Sequence, residues 1–189
     1  LQSSPYIRRA CSMKEYVYIE TFSDSIKLSN RKMLLDDFFE ESCIELDDIN
    51  YIVENKINKI NVYIPLFDKI STNYYDKQGY PIKLITLINN RISQIEFFHK
   101  DDVVGFVNVE FEVENNEIRV SIKCNMSGLQ KEVNVIGGCY FNGEIQELFN
   151  IKAKNVFSDE FVLVKEQFVE YTDFFVNILE DDCQILHLE

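Results

Sequence analysis

With 189 residues, 46% of them hydrophobic, the chain is long enough to form one domain of ordinary size with a sizeable core. Its 32 acidic residues outnumber its 19 basic ones, so the formal net charge is −13. That charge argues against direct nucleic-acid binding, because phosphate contacts require patches of Lys and Arg. No apolar run reaches the ~18 residues of a membrane span. We therefore expect a cytoplasmic protein with no nucleic-acid or membrane partner.

The two ends of the chain differ in composition from the rest. The first twelve residues, LQSSPYIRRACS, contain two arginines and no acid, and a methionine follows at position 13. We expect residues 1–12 to be a flexible arm or a cloning remnant, and residues 13–187 to form a single globular α+β domain. Residues 188–189 have the composition of a scar left by an expression tag.

Cysteine and histidine are too scattered to indicate a metal, cofactor or disulfide site. No CxxC pair occurs, and an odd number of widely spaced cysteines is poor material for a disulfide framework. His99 and His187 have no partner at metal-ligand spacing. We expect no cofactor, a surface imidazole, and free, mostly buried thiols. The five cysteines are Cys11, Cys43, Cys124, Cys139 and Cys183.

The first third of the chain predicts a strand, a helix and another strand. Residues 16–21 (YVYIET) and 59–66 (KINVYIPL) are rich in β-branched and aromatic residues, and Pro65 marks a strand end or an edge. Between them, Ser29 is a candidate N-cap for a helix over about residues 31–42. The apolar residues of this segment recur at helical spacing, with acids on the other face.

Residues 81–98 allow two interpretations. Four isoleucines fit one helical face, and Pro81 suits the first position of a helix. The dipeptide Asn89-Asn90 would instead turn a β-hairpin. We favour the helix. The four isoleucines are Ile85, Ile88, Ile92 and Ile95.

The clearest predicted element is a β-hairpin. Residues 106–114 and 117–124 alternate strictly between apolar and polar around Asn115-Asn116, which tolerates the positive φ of a two-residue turn. The alternation indicates an antiparallel sheet with one solvated face, and the turn fixes the register. The predicted cross-strand pairs are Val113 with Ile118, Phe111 with Val120 and Val109 with Ile122 on the buried face, and Glu112 with Arg119 and Asn108 with Lys123 on the wet face.

The C-terminal part predicts further strands and a last helix. Residues 129–136 are an expected strand closed by Gly137-Gly138, and residues 139–149 and 151–157 are candidate strands. A helix would then run from a cap at Ser158 toward Leu179, although FVLV at residues 161–164 also fits a strand. The predicted fold is α+β, an antiparallel sheet of about five to seven strands with two or three helices packed on it.

The acidic residues lie in three tracts with few basic residues among them. Residues 36–48 hold seven acids and residues 101–118 hold six, with no basic residue in either; from residue 155 onward nine acids accompany one lysine. A single such tract is most often a solvated face, but three of them favour at least one contact with a cationic partner. The candidate partner-binding residues are Asp36, Asp37, Glu40, Glu41, Glu45, Asp47, Asp48, Glu110, Glu112 and Glu114.

The chain contains the acidic tract DDFFEESCIELDD and lacks catalytic motifs. In this tract, its size and its acidity, it resembles immunity proteins of bacterial contact-dependent and other polymorphic toxin systems. The resemblance implies a cytoplasmic, non-enzymatic protein that binds and blocks one toxin domain, often a basic nuclease. Buried aromatic anchors would supply affinity; the candidates are Phe38, Phe39, Tyr51, Tyr74 and Tyr75. Two alternatives stay open: an enzyme with a scattered carboxylate- or Cys-based active site, and an adaptor or viral interaction protein. The oligomeric state is not predicted.

Overall fold

The structure, a computed structural model, is built mainly from antiparallel β-sheet. Within the part of the chain that it describes, thirteen strands form two sheets, and the α-helices are two short ones. The fold class is therefore mainly β, with more strands than the sequence predicts and less helix. The described residues are 15–40, 48–114, 117–129, 133–141, 144–164, 174–180 and 183–184.

The elements follow one another along the chain with short connections. The helices are α1 (Leu35–Glu40) and α2 (Ile49–Glu54), and a 3₁₀ turn covers Pro65–Phe67. The strands are β1 (Tyr16–Ser23), β2 (Ile26–Leu34), β3 (Lys59–Ile64), β4 (Lys69–Tyr75), β5 (Pro81–Ile88), β6 (Arg91–His99), β7 (Asp102–Glu114), β8 (Glu117–Asn125), β9 (Val133–Phe141), β10 (Glu144–Ala153), β11 (Val156–Val164), β12 (Phe174–Glu180) and β13 (Cys183–Gln184).

Nine of these strands form one large sheet in the order β2-β1-β3-β4-β5-β6-β7-β8-β11. The smaller sheet has the order β10-β9-β12-β13. All neighbouring pairs are antiparallel. Because most neighbours in the large sheet are also neighbours in sequence, it is a meander that needs few long connections.

The hydrophobic core is divided into two clusters. One lies between β1, β3 and the helices and includes Val17, Ile60 and Ile52. The other lies between strands β5–β8 and the small sheet, and it includes Ile95 and Val133. Each half of the large sheet thus has its own cover, helices in the N-terminal half and a second sheet in the C-terminal half.

The two clusters lie on opposite faces of the large sheet. Residues paired across an antiparallel ladder lie on the same face, and β3 pairs with β4 so that Ile60 opposes Asn73 and Asn61 opposes Thr72. Ile60 belongs to the helix-covered cluster. Thr72 is on the other face and pairs in turn with Ile85, a member of the second cluster. The buried face therefore changes between β3 and β4.

The predicted β7–β8 hairpin is confirmed with its register. All five predicted cross-strand pairs are present, and Val109, Val120 and Ile122 are buried as expected. The turn dipeptide itself lies outside the described residues. The strands at residues 16–21 and 59–66 are also confirmed, and Pro65 ends the second of them by opening the 3₁₀ turn.

The helix predicted over residues 31–42 is wrong for its first part. Residues up to Leu34 belong to β2, which pairs with β1, and the helix begins only at Leu35. Ser29 is not an N-cap: its hydroxyl lies 2.6 Å from that of the buried Thr21 across the ladder. Pairing with β1 has overridden the helical spacing of the apolar residues. Glu41 and residue 42 lie outside the described part.

The helix predicted over residues 81–98 is also wrong, and the alternative hairpin is present. Strands β5 and β6 pair around Asn89 and Asn90, whose φ angles are 52° and 58°. A register shift between Thr86 and Leu87 buries three consecutive residues of β5. The extra residue on β6 lets Ile92 and Ile95, three residues apart, both be buried, whereas Ile88 is exposed. Burial at a spacing of three imitates a helical face, so the periodicity predicts a helix.

The predicted C-terminal helix is wrong wherever the chain is described. Residues 156–164 form β11, which pairs along its whole length with β8, and residues 174–180 form β12. Residues 165–173 lie outside the described part. The pair Gly137-Gly138 does not close a strand but lies within β9, where the ring of Phe149 on β10 lies across Gly137. The strand expected over residues 129–136 therefore starts later and continues further.

Candidate functional site

The acidic tract at residues 36–48 begins on a helix with one buried and one exposed side. In α1, Leu35 is buried and Phe38 packs against the helix-covered core, whereas Asp36, Asp37 and Glu40 are exposed. The helix follows β2 without a loop, because the backbone N–H of Leu35 still donates to the carbonyl of Glu15, at 2.9 Å. The sheet therefore fixes which side of α1 faces solvent.

An aromatic side chain stands among these acids. Phe39 is 62% exposed, and its ring meets that of Phe38 edge-to-face, with 5.8 Å between centroids. An exposed aromatic ring beside charged residues offers apolar area that a partner could bury, as the aromatic anchors of interfaces do. Of the predicted aromatic anchors, Phe39 alone combines high exposure with the acidic helix: Phe38, Tyr51 and Tyr74 are partly buried, and Tyr75 is buried.

The charges of α1 are only partly explained by helix stability. Asp36 and Asp37 lie in the first turn, where a negative charge stabilises the helix dipole. Glu40 is the last residue of α1, where the dipole disfavours a negative charge. No basic side chain within the described ranges forms an ion pair with any of the three carboxylates.

The last residue of the tract has a structural role. Asp48 is the N-cap of α2, and its carboxylate accepts a hydrogen bond of 3.1 Å from the backbone N–H of Tyr51. The carboxylate of Asp48 is therefore already used to cap α2. Glu41, Glu45 and Asp47, which the sequence also nominates, lie outside the described residues.

The second nominated group lies on the opposite half of the sheet. Glu110 and Glu112 point from β7 to the open face, beside Lys123 and Arg119 on β8. Together with residues of β11 they line a depression of about 340 Å³. Glu114 pairs with Glu117 at the end of the hairpin; the structure does not describe its side chain.

The depression is a surface of mixed charge. The guanidinium of Arg119 lies 3.6 Å from the carboxylate of Glu160 on β11 and 3.8 Å from that of Glu117. The hydroxyl of Ser121 donates to Glu160 at 3.4 Å. The sequence does not reveal Glu160 as part of this surface, because its segment predicts a helix and not a strand paired with β8. Arg119 and Lys123 lie on this face as the predicted hairpin register places them, and they offset the charge of Glu110 and Glu112.

The two acidic groups therefore differ in character. In the α1 group (Asp36, Asp37, Glu40), no described basic side chain forms an ion pair with the exposed carboxylates, and the group includes an exposed phenylalanine. The β7 group (Glu110, Glu112) shares its surface with a lysine and an arginine. A cationic partner gains more from the first surface, since the second already carries its own counter-charges.

Tyr74 lies at the junction of the two halves rather than on an interaction surface. Burial raises the pKa of its phenol above the ordinary value for tyrosine. The ammonium of Lys83 lies over its ring, 4.7 Å from the centroid. Tyr74 packs against the core of the C-terminal half, so it is not available as an anchor for a partner.

The described residues contain no group of three His, Cys, Asp or Glu side chains arranged to hold a metal ion. The thiol of Cys124 is buried, as expected, and donates to the carbonyl of Asn155 at 3.7 Å. His99 is exposed. Cys11, Cys43 and His187 lie outside the described part, and the side chains of Cys139 and Cys183 are not described. No described helix has the length and hydrophobicity needed to cross a membrane.

Comparisons with known proteins add no relative. No family model matches the chain, and no curated protein and no solved structure matches it either. The case for a function therefore depends on the chemistry of the surfaces described above.

Proposed function

We propose that this chain is a non-catalytic binding protein that holds a basic protein partner on α1, and that it acts in the cytoplasm as an immunity protein that blocks a toxin domain. One observation carries the proposal. Helix α1 presents three exposed carboxylates around an exposed phenylalanine, and no described basic side chain forms an ion pair with them.

Such a surface suits a cationic protein for two reasons. Unneutralised carboxylates on a strongly acidic molecule attract a basic partner and speed its encounter. The exposed ring of Phe39 then offers apolar area to bury at the centre of the contact, where a few aromatic residues typically supply most of the affinity. Charge would select the partner, and Phe39 would help to hold it.

The proposal assigns the contact to α1 and not to the β7 group. In the depression on β7, β8 and β11, Arg119 lies close to two glutamates and Lys123 lies on the same face. A basic partner docking there would meet like charges, which disfavours binding. The β7 group therefore supplies a matched control of similar charge at a different place.

The test is a capture experiment with two charge-reversal variants. The full chain is immobilised, exposed to a lysate of its source organism, and eluted with rising salt; retained proteins are identified by mass spectrometry. The same capture is then repeated with Asp36→Lys/Asp37→Lys/Glu40→Lys and with Glu110→Lys/Glu112→Lys. Circular dichroism and thermal unfolding check that each variant keeps its fold.

We expect a basic protein, retained stoichiometrically by the native chain and by the β7 variant and lost by the α1 variant. Elution should move to lower salt as charges on α1 are removed, because the attraction is screened by ions. Equal retention by both variants, with unchanged salt dependence, would remove α1 from the interface. Retention of no protein at low salt would count against a binding protein of this kind.

A further inference from the structure

Strand β2 is an edge of the large sheet, and part of its backbone is directed outward. Among the described strands it pairs with β1 alone. The hydrogen bond from Leu35 N–H to the carbonyl of Glu15 continues the β1–β2 ladder by one pair. Hydrogen-bonded pairs alternate in an antiparallel ladder, so the N–H and C=O groups of Asn30, Lys32 and Leu34 point away from β1.

This edge is basic in an acidic protein. Its charged residues are Lys27, Arg31 and Lys32, and it contains no acid, although the whole chain carries a net charge of −13. Lys27 forms an ion pair with Glu20 of β1, so the proposal below relies on Lys32. Two apolar side chains are also exposed there, with Ile26 at 66% and Leu28 at 47%. Lysines on an edge strand discourage aggregation with like strands, and the same charges attract a strand that carries acids.

No described helix or strand covers the sheet face beside this edge, and the face is aromatic. The helix-covered core lies on the other face of β1 and β3. On the open face, Lys32 lies 3.9 Å from the ring centroid of Tyr16 and 5.8 Å from that of Tyr18. The stem of Lys32 and the two rings on β1 thus lie next to the position that an added strand would occupy.

We propose that β2 and this face bind an acidic extended segment of a partner protein, which adds as a further strand at the edge of the sheet. Main-chain hydrogen bonds to Asn30, Lys32 and Leu34 would give affinity, and a carboxylate of the segment would pair with the ammonium of Lys32. The proposal is independent of the function proposed for α1, because it concerns a basic surface and a partner of opposite charge.

Two other occupants fit the same surface less well. A second copy pairing through its own β2 would bring lysines and arginines of both strands together, which is unfavourable. A single-stranded nucleic acid could stack on the rings, but it has no peptide groups to pair with the outward backbone. The net charge of −13 also repels a polyphosphate more strongly than a short acidic peptide.

The first test uses three fluorescein-labelled probes and the full chain, with binding followed by fluorescence anisotropy. The probes are an eight-residue peptide of alternating Glu and Thr, the matched peptide of alternating Lys and Thr, and an eight-nucleotide oligothymidylate. We expect the Glu-Thr peptide to bind, more weakly as salt rises, and at least about tenfold more tightly than the oligothymidylate. The Lys-Thr peptide should not compete with it, because any binding of that peptide is expected at the acidic α1. Absence of Glu-Thr binding at low salt would overturn the proposal, as would displacement of the Glu-Thr peptide by the Lys-Thr peptide or equal or tighter binding of the oligothymidylate.

The second test locates the peptide. The variant Lys32→Glu should weaken Glu-Thr binding by about threefold, since a favourable charge pair becomes repulsive. The exposed Lys77→Glu makes the same change in net charge, is the matched control, and should leave binding unchanged. Unchanged binding by Lys32→Glu would place the peptide elsewhere.

The third test addresses the backbone pairing. Asn30→Pro removes an N–H that points away from β1, whereas Asn30→Ala keeps it. Only the proline variant should lose the Glu-Thr peptide. In the native chain, peptide titration should shift the amide resonances of Asn30, Lys32 and Leu34 most, a readout that does not depend on how the proline variant folds. Shifts confined to other strands would contradict strand addition.

Discussion

The two halves of the large sheet bury opposite faces, and this decides which surfaces stay open. In the N-terminal half, α1 and α2 cover one face, leaving on the other the aromatic rings and lysines of β1–β3. In the C-terminal half, the small sheet covers the other face, leaving the mixed-charge depression of β7, β8 and β11. A single meander thus displays two open half-faces of different chemistry, with the acidic α1 at one end.

The largest expected effect concerns the two cores. Ile60 and Ile95 are fully buried, one in each core. Replacing either with Ala should lower the free energy of unfolding by about 2–5 kcal/mol, measured by denaturant titration. The milder Ile60→Val and Ile95→Val should be additive within about 0.5 kcal/mol, because the two side chains share no neighbours across the sheet. A large coupling between them would show that the cores are not separate.

The next-largest effect concerns the small sheet, which packs on the C-terminal half of the large sheet. A Cβ on Gly137 would overlap the ring of Phe149, which lies across it on the paired strand. Gly137→Ala should therefore destabilise the protein by about 1–3 kcal/mol, as overpacking does. The same substitution made in a Phe149→Ala background should cost less. An equal cost in both backgrounds, in thermal or chemical unfolding, would argue against this packing.

The helices that pack on the N-terminal half of the large sheet depend on the N-cap of α2. Removing the cap with Asp48→Ala should cost about 1 kcal/mol of stability, whereas Asp48→Asn, which keeps a capping oxygen, should cost much less. Neither change should affect capture of the basic partner, because the Asp48 carboxylate serves the helix. Loss of capture by Asp48→Asn with unchanged stability would show that the Asp48 carboxylate contacts the partner.

The smallest effect is a pH dependence of stability caused by Tyr74, which lies where the two halves of the large sheet meet. Burial raises the pKa of Tyr74 in the folded protein. The unfolded chain therefore loses this proton first as pH rises, so the associated stability is present below pH ~10 and falls above it. Tyr74→Phe should make the alkaline loss of stability smaller than in the native chain, as followed by unfolding titrations from pH 8 to 11. The exposed Tyr63→Phe is the control; equal slopes in all three proteins would contradict burial as the cause.

The sequence predicts this fold best where pairing is local. The β7–β8 hairpin follows from alternation around one turn, and each cross-strand pair agrees with it. The prediction fails where a bulge disturbs the period of two, as at Thr86 and Leu87. It also fails where a strand is stabilised by a distant one, as β11 is by β8. The strand propensity of a segment carries no information about which distant strand pairs with it.

The same contrast between local and long-range contacts applies to the candidate site. The exposure of Asp36, Asp37 and Glu40 follows from their spacing opposite the apolar residues of α1. The basic neighbours of Glu110 and Glu112, Arg119 and Lys123, follow from the predicted register of the hairpin. The position of Glu160 on the same surface does not, since it depends on the long-range addition of β11. The basic edge of β2 was hidden for a related reason: residues 31–34 were assigned to a helix, so their lysine and arginine were not placed on a strand.

The most direct test of the account is amide hydrogen exchange of the full chain, alone and bound to the captured basic partner. The account predicts that the complex slows exchange in residues 35–40, while residues of β7, β8 and β11 around the depression exchange as before. Protection centred on residues 107–123 and 156–164, with no change at 35–40, would contradict it and move the interface to the mixed-charge face.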